Sequence, residues 1–162
     1  RGGEPTGKSS LAAALAERFD TVHAAEYGRE LWQARGGRLV FEDLLAIART
    51  QIAREQALAG EARRFLFCDT SPLTPLFYSL HMFGHADPAL AWLARRRYLR
   101  VFLCADDFPF VQDGPRISAE FRQHQQDWYR ARLAALGLPW VELRGSISER
   151  MDQVEAALLM EV

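Results

Sequence analysis

One residue into the chain, Gly2-Gly3-Glu4-Pro5-Thr6-Gly7-Lys8-Ser9 meets every fixed position of the spacing G-x-x-x-x-G-K-S/T. Gly2, Gly3 and Gly7 let the backbone curl so that successive N–H groups point at phosphate oxygens. A helix beginning near Lys8 adds the positive end of its dipole. Lys8 can bridge the β- and γ-phosphates of a nucleoside triphosphate, the Ser9 hydroxyl can ligate Mg²⁺, and Ser10 beside it belongs to the nucleotide site. Lys8 is the only lysine among 20 basic residues, all the others being arginine, so it stands out in a background that otherwise avoids lysine. The chemistry expected is binding of ATP or GTP with Mg²⁺. The alternative, an accidental glycine turn, fits poorly with the helical periodicity that follows directly.

Phosphate transfer also needs a carboxylate near the acceptor hydroxyl, to orient it or take its proton. Asp69 follows the apolar run Phe65-Leu66-Phe67-Cys68 and is the first candidate, for Mg²⁺ or as base. Its alternative role is a turn or N-cap residue before Pro72. Glu26 follows a short strand and precedes Tyr27-Gly28-Arg29; the alternative is a surface Glu opening a helix. Which of the two is the base is left open. The segment from Asp106 to Arg122 mixes acids, aromatics and a Gly-Pro turn, as lids over a phosphate donor do. Arg116 and Arg122 within it have the guanidinium geometry that matches phosphoryl oxygens. Either one could instead be a plain helix-surface charge.

These residues need a scaffold. Apolar residues make up 49% of the 162 and charged residues 25%, values of an ordinary globular domain long enough for its own core. The net charge of −1 gives no general surface for nucleic acid or membrane. No signal peptide and no long apolar run is present, so a cytoplasmic location is expected. Cys68 and Cys104 each end an apolar run and read as buried reduced thiols rather than a disulfide framework. His81 and His85 sit four apart where a helix is expected, but no third metal ligand accompanies them.

Periodicity predicts helices over residues 8–19, 27–33, 42–59, 73–83, 88–97, 117–136 and 146–160. Short strands are predicted at 21–25, 65–68, 99–104 and 140–143. Leu44, Leu45, Ala48, Ile52 and Leu58 supply the apolar side of the long helix over 42–59, with Ile47 at its margin. Ser146 with Glu149 reads as a capping box. Strands alternating with helices imply an α/β fold, a parallel sheet flanked by helices in the three-layer arrangement of P-loop proteins. Ligands in such sheets sit at the carboxyl ends of the strands, where Glu26, Asp69 and Asp106 all fall. A phosphate loop should follow a buried strand. Because Arg1 directly precedes the glycines, that strand is expected ahead of this sequence, in a longer chain. One domain is expected over residues 1–162, with its lid around 106–122.

The chain resembles the ribosylnicotinamide kinase domain found at the carboxyl end of NadR-type proteins of NAD biosynthesis. The resemblance rests on the phosphate loop, then Glu26-Tyr27-Gly28-Arg29-Glu30, Ile47-Ala48-Arg49-Thr50-Gln51, Phe67-Cys68-Asp69-Thr70, and Pro109-Phe110-Val111-Gln112-Asp113-Gly114-Pro115-Arg116. These pieces occur in order over nearly the whole chain. The resemblance implies ATP- and Mg²⁺-dependent phosphorylation of the 5′-hydroxyl of nicotinamide riboside, giving nicotinamide mononucleotide. It carries the phosphate-loop roles to Gly7, Lys8 and Ser9, the strand-end carboxylate to Asp69 and the lid arginine to Arg116. Glu26, Tyr27 and Arg29 would face the nucleoside, with Asp113 close to the lid. Two departures stand out: Phe110 where a Trp is expected after the proline, and Pro5, which has no N–H, inside the phosphate loop.

A pyridinium nucleoside is a flat cation, which aromatic faces hold by stacking and cation–π attraction. Tyr27, Trp32, Phe77, Tyr78 and Trp128 are the candidates, against a packing role for each. The partner expected is therefore a small nucleoside, with no nucleic acid and no membrane. Two other readings remain: a kinase for another small hydroxyl compound, and an ATP-binding regulatory switch without an acceptor.

Overall fold

The computed structural model describes residues 8–104 and 118–160, and of residues 8–10 the backbone alone. These residues fall into two compact units. One runs from Leu15 to Arg96; the other takes the start of the first helix through Ala14 and the chain from Arg97 onward.

In chain order the elements are α1 (Lys8–Arg18), β1 (His23–Ala24), α2 (Tyr27–Ala34), α3 (Phe41–Ala59), β2 (Phe67–Cys68), α4 (Leu73–Phe83), α5 (Pro88–Leu93), β3 (Val101–Cys104), α6 (Ala119–Ala135), β4 (Trp140–Leu143) and α7 (Ile147–Leu159). The class is α/β, with each described strand paired in parallel. β1 pairs with β2, His23 opposite Phe67 and Ala24 opposite Cys68. β3 pairs with β4, from Val101 opposite Trp140 to Cys104 opposite Leu143. Parallel neighbours need a crossover: α2 and α3 supply it between β1 and β2, and α6 between β3 and β4. Among the described residues no helix is long and apolar enough to cross a membrane.

In the Leu15–Arg96 unit, α3 is the central helix and packs against α2, α4, α5 and β1. Its buried face is Asp43, Leu44, Ile47, Ala48, Gln51 and Glu55. Ile47 is thus fully in the core, and the stripe continues through Gln51 and Glu55, whereas Ile52 and Leu58 are only half-buried. Two buried polar residues one helical turn apart are possible because each meets a polar partner from the strand ends, as buried polar groups require. Phe77, Leu76 and Leu73 of α4 and Leu90 of α5 complete this core. Asp87 caps α5, its Oδ1 accepting from the Ala89 N–H at 2.8 Å, with Pro88 at the first position.

Several elements are shorter than their sequence suggests: β1 holds only His23 and Ala24 of the span expected over 21–25, β3 starts at Val101 rather than Leu99, and two others show a cause. The strand expected over 65–68 contains only Phe67 and Cys68. Arg64 takes a left-handed φ of 70°, and the Thr21 hydroxyl claims the flanking backbone: Oγ1 donates to Phe65 O at 2.7 Å and accepts from Arg63 N at 2.8 Å. Phe65 turns its ring edge-on to Phe19, 5.7 Å between centroids. Helix α5 stops at Leu93 rather than near Arg97, and Arg96 turns its Nε to Glu55, 3.3 Å from Oε1. In the other unit, α7 packs on β4. The Ser146–Glu149 capping box is present, with Ser146 N donating to Glu149 Oε1 at 2.8 Å and Glu149 N to Ser146 Oγ at 3.1 Å.

Candidate functional site

Parallel strands deliver whatever follows them to the same edge. Ala24 and Cys68 are opposite each other at the ends of β1 and β2. One step further, Asp69 N donates to Ala24 O at 2.9 Å, so the backbone of Asp69 is still tied to β1 as it leaves the sheet. Glu26 leaves β1 at that same edge. The two carboxylate-bearing residues picked out from the sequence therefore depart together from one pair of strands.

Asp69 is buried, 6% exposed. The first turn of α4 is served by other residues: Pro72 is the N-cap, and Ser71 Oγ accepts from Leu73 N at 3.2 Å. The Thr70 hydroxyl donates to Thr74 Oγ1 at 2.7 Å and stiffens the same loop. The N-cap position of α4 is thus Pro72 and not Asp69, and the turn role considered for Asp69 stands beside the functional one.

Glu26 is half-buried and occupies the N-cap position of α2, but its side chain makes no capping hydrogen bond. The carboxylate instead folds back along the helix start: a Cβ placed on Gly28 would lie 3.7 Å from Glu26 Oε2 and 3.4 Å from Ile47 Cγ2. The orphan N–H at the start of α2 is taken by α3. Gln51 Oε1 accepts from Tyr27 N at 2.8 Å, and Gln51 Nε2 donates to Ala25 O at 3.0 Å. Arg54, three residues on, donates to the same Ala25 carbonyl at 3.1 Å.

Tyr27 is half-buried, and one face of its ring carries the Arg54 guanidinium, whose Cζ is 5.4 Å from the centroid. Arg29 stands on α2, half-buried, with its Nε out of contact with solvent. Of the other aromatics considered, Phe77 is a core residue at 2% exposure, and Trp32 packs over Gly37. Tyr78 sits edge-on to Phe77, and Trp128 is covered by Arg132.

One helical turn beyond Gln51, α3 reaches the end of β2. Glu55, 2% exposed, pairs with Arg96 and accepts from the Cys68 thiol. Burial first, then the Glu55 carboxylate, pushes that thiol up to about 12. Cys68 is therefore a neutral hydrogen-bond donor beside Asp69, not a nucleophile.

Arg122 lies on α6 and is buried, 2% exposed, which removes the plain surface-charge reading for it. Helix α1 begins at Lys8, as the phosphate-loop spacing requires, and its first turn holds no acidic residue to oppose an anion. Gly2, Gly3, Gly7, Asp113, Arg116 and the lid segment through Ile117 lie outside the described residues, as do the side chains of Lys8, Ser9 and Ser10. Among the described residues there is no cluster of three or more His, Cys, Asp or Glu able to hold a metal by themselves. Glu55 and Arg54 are residues that sequence reasoning passed over, and Gln51 entered it only as the last residue of one resembling piece, with no role. The only available signal was their spacing: 51 and 55 continue the 44, 48 face of α3.

The AAA domain family matches residues 1–150 of the chain. The trifunctional NAD biosynthesis/regulator protein NadR of Escherichia coli (strain K12) is 32% identical over 120 residues, covering 71% of this chain and 29% of that protein. The chain thus spans less than a third of that relative's length.

Proposed function

The chain belongs to the AAA domain family of P-loop nucleotide-binding proteins, and from that premise we propose that it is an ATP-dependent kinase for a small nucleoside. The acceptor we propose is nicotinamide riboside, phosphorylated on its 5′-hydroxyl to nicotinamide mononucleotide. The observation that carries the reading is the joint departure of Glu26 and Asp69 from the carboxyl ends of β1 and β2, which supplies one carboxylate for Mg²⁺ and a second for an acceptor hydroxyl. The likeness to a protein named for NAD biosynthesis supports the choice of nucleoside. The reading carries with it the three-layer P-loop arrangement as a single domain over residues 1–162, with a lid around 106–122.

In this reading Gly2, Gly3, Gly7, Lys8, Ser9 and Ser10 form the cradle for the ATP phosphates. The acid-free start of α1 fits such a cradle. Ser9 and Asp69 would hold Mg²⁺, which neutralises phosphate charge. Lys8 stays with the β- and γ-phosphate oxygens through the transfer. Glu26 or Asp69 orients the acceptor hydroxyl and receives its proton. Arg116 and Arg122 balance charge on the moving phosphoryl group. Tyr27, Arg29 and Asp113 contact the nucleoside. Because Arg54 already covers one face of the Tyr27 ring, a pyridinium would meet the other face or the ring edge.

The test is ADP release with ATP, Mg²⁺ and nicotinamide riboside, beside a panel of other nucleosides, with the product identified by mass spectrometry. Release that depends on nicotinamide riboside, abolished by Lys8→Ala without loss of fold, is expected. Release with a different acceptor only would replace the substrate and keep the kinase. ATP hydrolysis indifferent to every acceptor would replace the kinase with the switch reading.

A further inference from the structure

The geometry points to Gln51 as a positioning residue for Glu26: its side-chain amide acts as a one-residue parallel strand that fixes the backbone on both sides of that carboxylate. In a parallel ladder, a residue donates its N–H to the carbonyl one before its partner and accepts from the N–H one after it. Gln51 makes that pair of bonds to residue 26. Its Nε2 donates to Ala25 O and its Oε1 accepts from Tyr27 N. The assignment of the two amide atoms is fixed by the partners, because a carbonyl can only accept and an N–H can only donate.

Three further observations fit this role. Gln51 is 2% exposed, so the amide is shielded from competing water. It lies beside Ala48, fully buried on α3, so the residue holding Glu26 stands on a rigid helix rather than a loop. Strand β1 ends at Ala24, so Glu26 lies beyond the reach of the ladder to β2. Gln51 therefore extends the sheet's control of the backbone two residues past its end. It holds residue 26 at φ −78° and ψ 115°, extended values, although the helix starts at the very next residue. The N–H of Tyr27, the first of the helix's orphan donors, is taken by Gln51, and the Glu26 side chain does no capping. Only glutamine combines a donor, an acceptor and this reach; asparagine is one methylene short.

The inference rests on the reading of Glu26 as a carboxylate facing the acceptor, and the experiment separates the two. The full chain would be compared with Gln51→Leu, Gln51→Glu, Glu26→Gln and the double variant Glu26→Gln/Gln51→Leu. Acceptor-dependent turnover, ATP binding and amide hydrogen exchange at Tyr27 would be read for each. Gln51→Leu is expected to lower kcat for the acceptor roughly tenfold or more, as misplacement of a reacting group does, with ATP affinity unchanged. Gln51→Glu keeps the acceptor for Tyr27 N–H and should fall between Gln51→Leu and wild type. In the Glu26→Gln background, Gln51→Leu should cost nothing further, since it acts through residue 26. Additive losses, or a parallel fall in ATP affinity, would mark a merely structural glutamine and overturn the proposal. Should the wild type transfer phosphate to no acceptor, the functional reading fails by itself, and Tyr27 exchange still decides the clamp. Faster exchange at Tyr27 in Gln51→Leu supports it, and unchanged exchange overturns it.

Discussion

The guanidinium of Arg54 lies over the ring of Tyr27 while both its terminal nitrogens grip Glu30, at 2.9 Å to Oε2 and 3.1 Å to Oε1. One side chain of α3 thereby touches the first and fourth residues of α2 and the carbonyl of Ala25 before it. Arg54→Ala should lower stability by about 1–2 kcal/mol, a fall of a few degrees in Tm. Glu30→Ala should cost less, because that carboxylate is half-exposed and only the screened ion pair is lost. Arg54→Lys should recover little, since an ammonium cannot serve two carboxylate oxygens in a fork. Thermal melts of the three variants check the order.

A second fork ties α6 to β4 and gives a pH signature. Arg130 donates through Nε to Glu142 Oε2 at 2.6 Å and through Nη2 to Oε1 at 3.1 Å, and Trp140 Nε1 adds a donor at 3.3 Å. The Arg130 hydrogen bonds hold the Glu142 carboxyl below its ordinary value near 4.5. A depressed carboxylate contributes stability that is present above the ordinary value and lost as the pH falls through the folded one. Glu142→Gln should therefore cost about 1 kcal/mol at neutral pH, and the difference from wild type should begin to narrow only as the pH falls below the ordinary value near 4.5. Denaturant titrations across pH 3–7 read this out.

The Cys68 thiol, pushed up to about 12 by burial and then by Glu55, should resist alkylation. At pH 8 roughly one molecule in ten thousand carries the thiolate. Iodoacetamide should label Cys68 only on denaturation, as peptide mass spectrometry would show. The stability linked to this raised value is fully present below the thiol's ordinary value near 9 and is lost as the pH climbs toward 12. Glu55→Gln removes the carboxylate's share, so labelling should become faster while remaining slow.

Gly145 holds a left-handed φ of 94°, and a Cβ there would run into Glu149 Oε1. That oxygen is the half of the capping box that satisfies Ser146 N. Gly145→Ala should thus combine backbone strain with loss of a cap and cost about 1–3 kcal/mol. Ser146→Ala, which removes the other half of the box, should cost about 1 kcal/mol. The two penalties should fall short of additive in the double variant, because they act on one box.

Local chemistry made much of this molecule legible in advance. The helices at α3 and α4, the Asp87-Pro88 start of α5, the Ser146–Glu149 box and the strands at β3 and β4 follow from periodicity and capping types within a few residues. Glu26 and Asp69 were legible because strand ends are where α/β folds gather polar residues. The buried face of α3 was not. Apolar counting favours Ile52 and Leu58, yet Gln51 and Glu55 are the residues turned inward, because their partners Ala25, Tyr27, Cys68 and Arg96 come from distant stretches of chain. Likewise Phe65 reads as strand, and only the Thr21 hydroxyl, 44 residues away, takes its carbonyl out of the ladder. Such long-range pairings leave no trace in apolar periodicity, and only the 44, 48, 51, 55 spacing hints at the two on α3.

Because Gln51 of α3 accepts from Tyr27 N and donates to Ala25 O, two backbone bonds at the start of α2 are made without the side chain at position 26, which itself does no capping. For protein engineering this uncouples chemistry from folding at the spot. A library randomised at position 26 alone, with Gln51 kept, can explore new acceptors without each member having to rebuild a helix start. The same library with Gln51 removed would leave the Tyr27 N–H without that acceptor in every member, whatever stood at position 26.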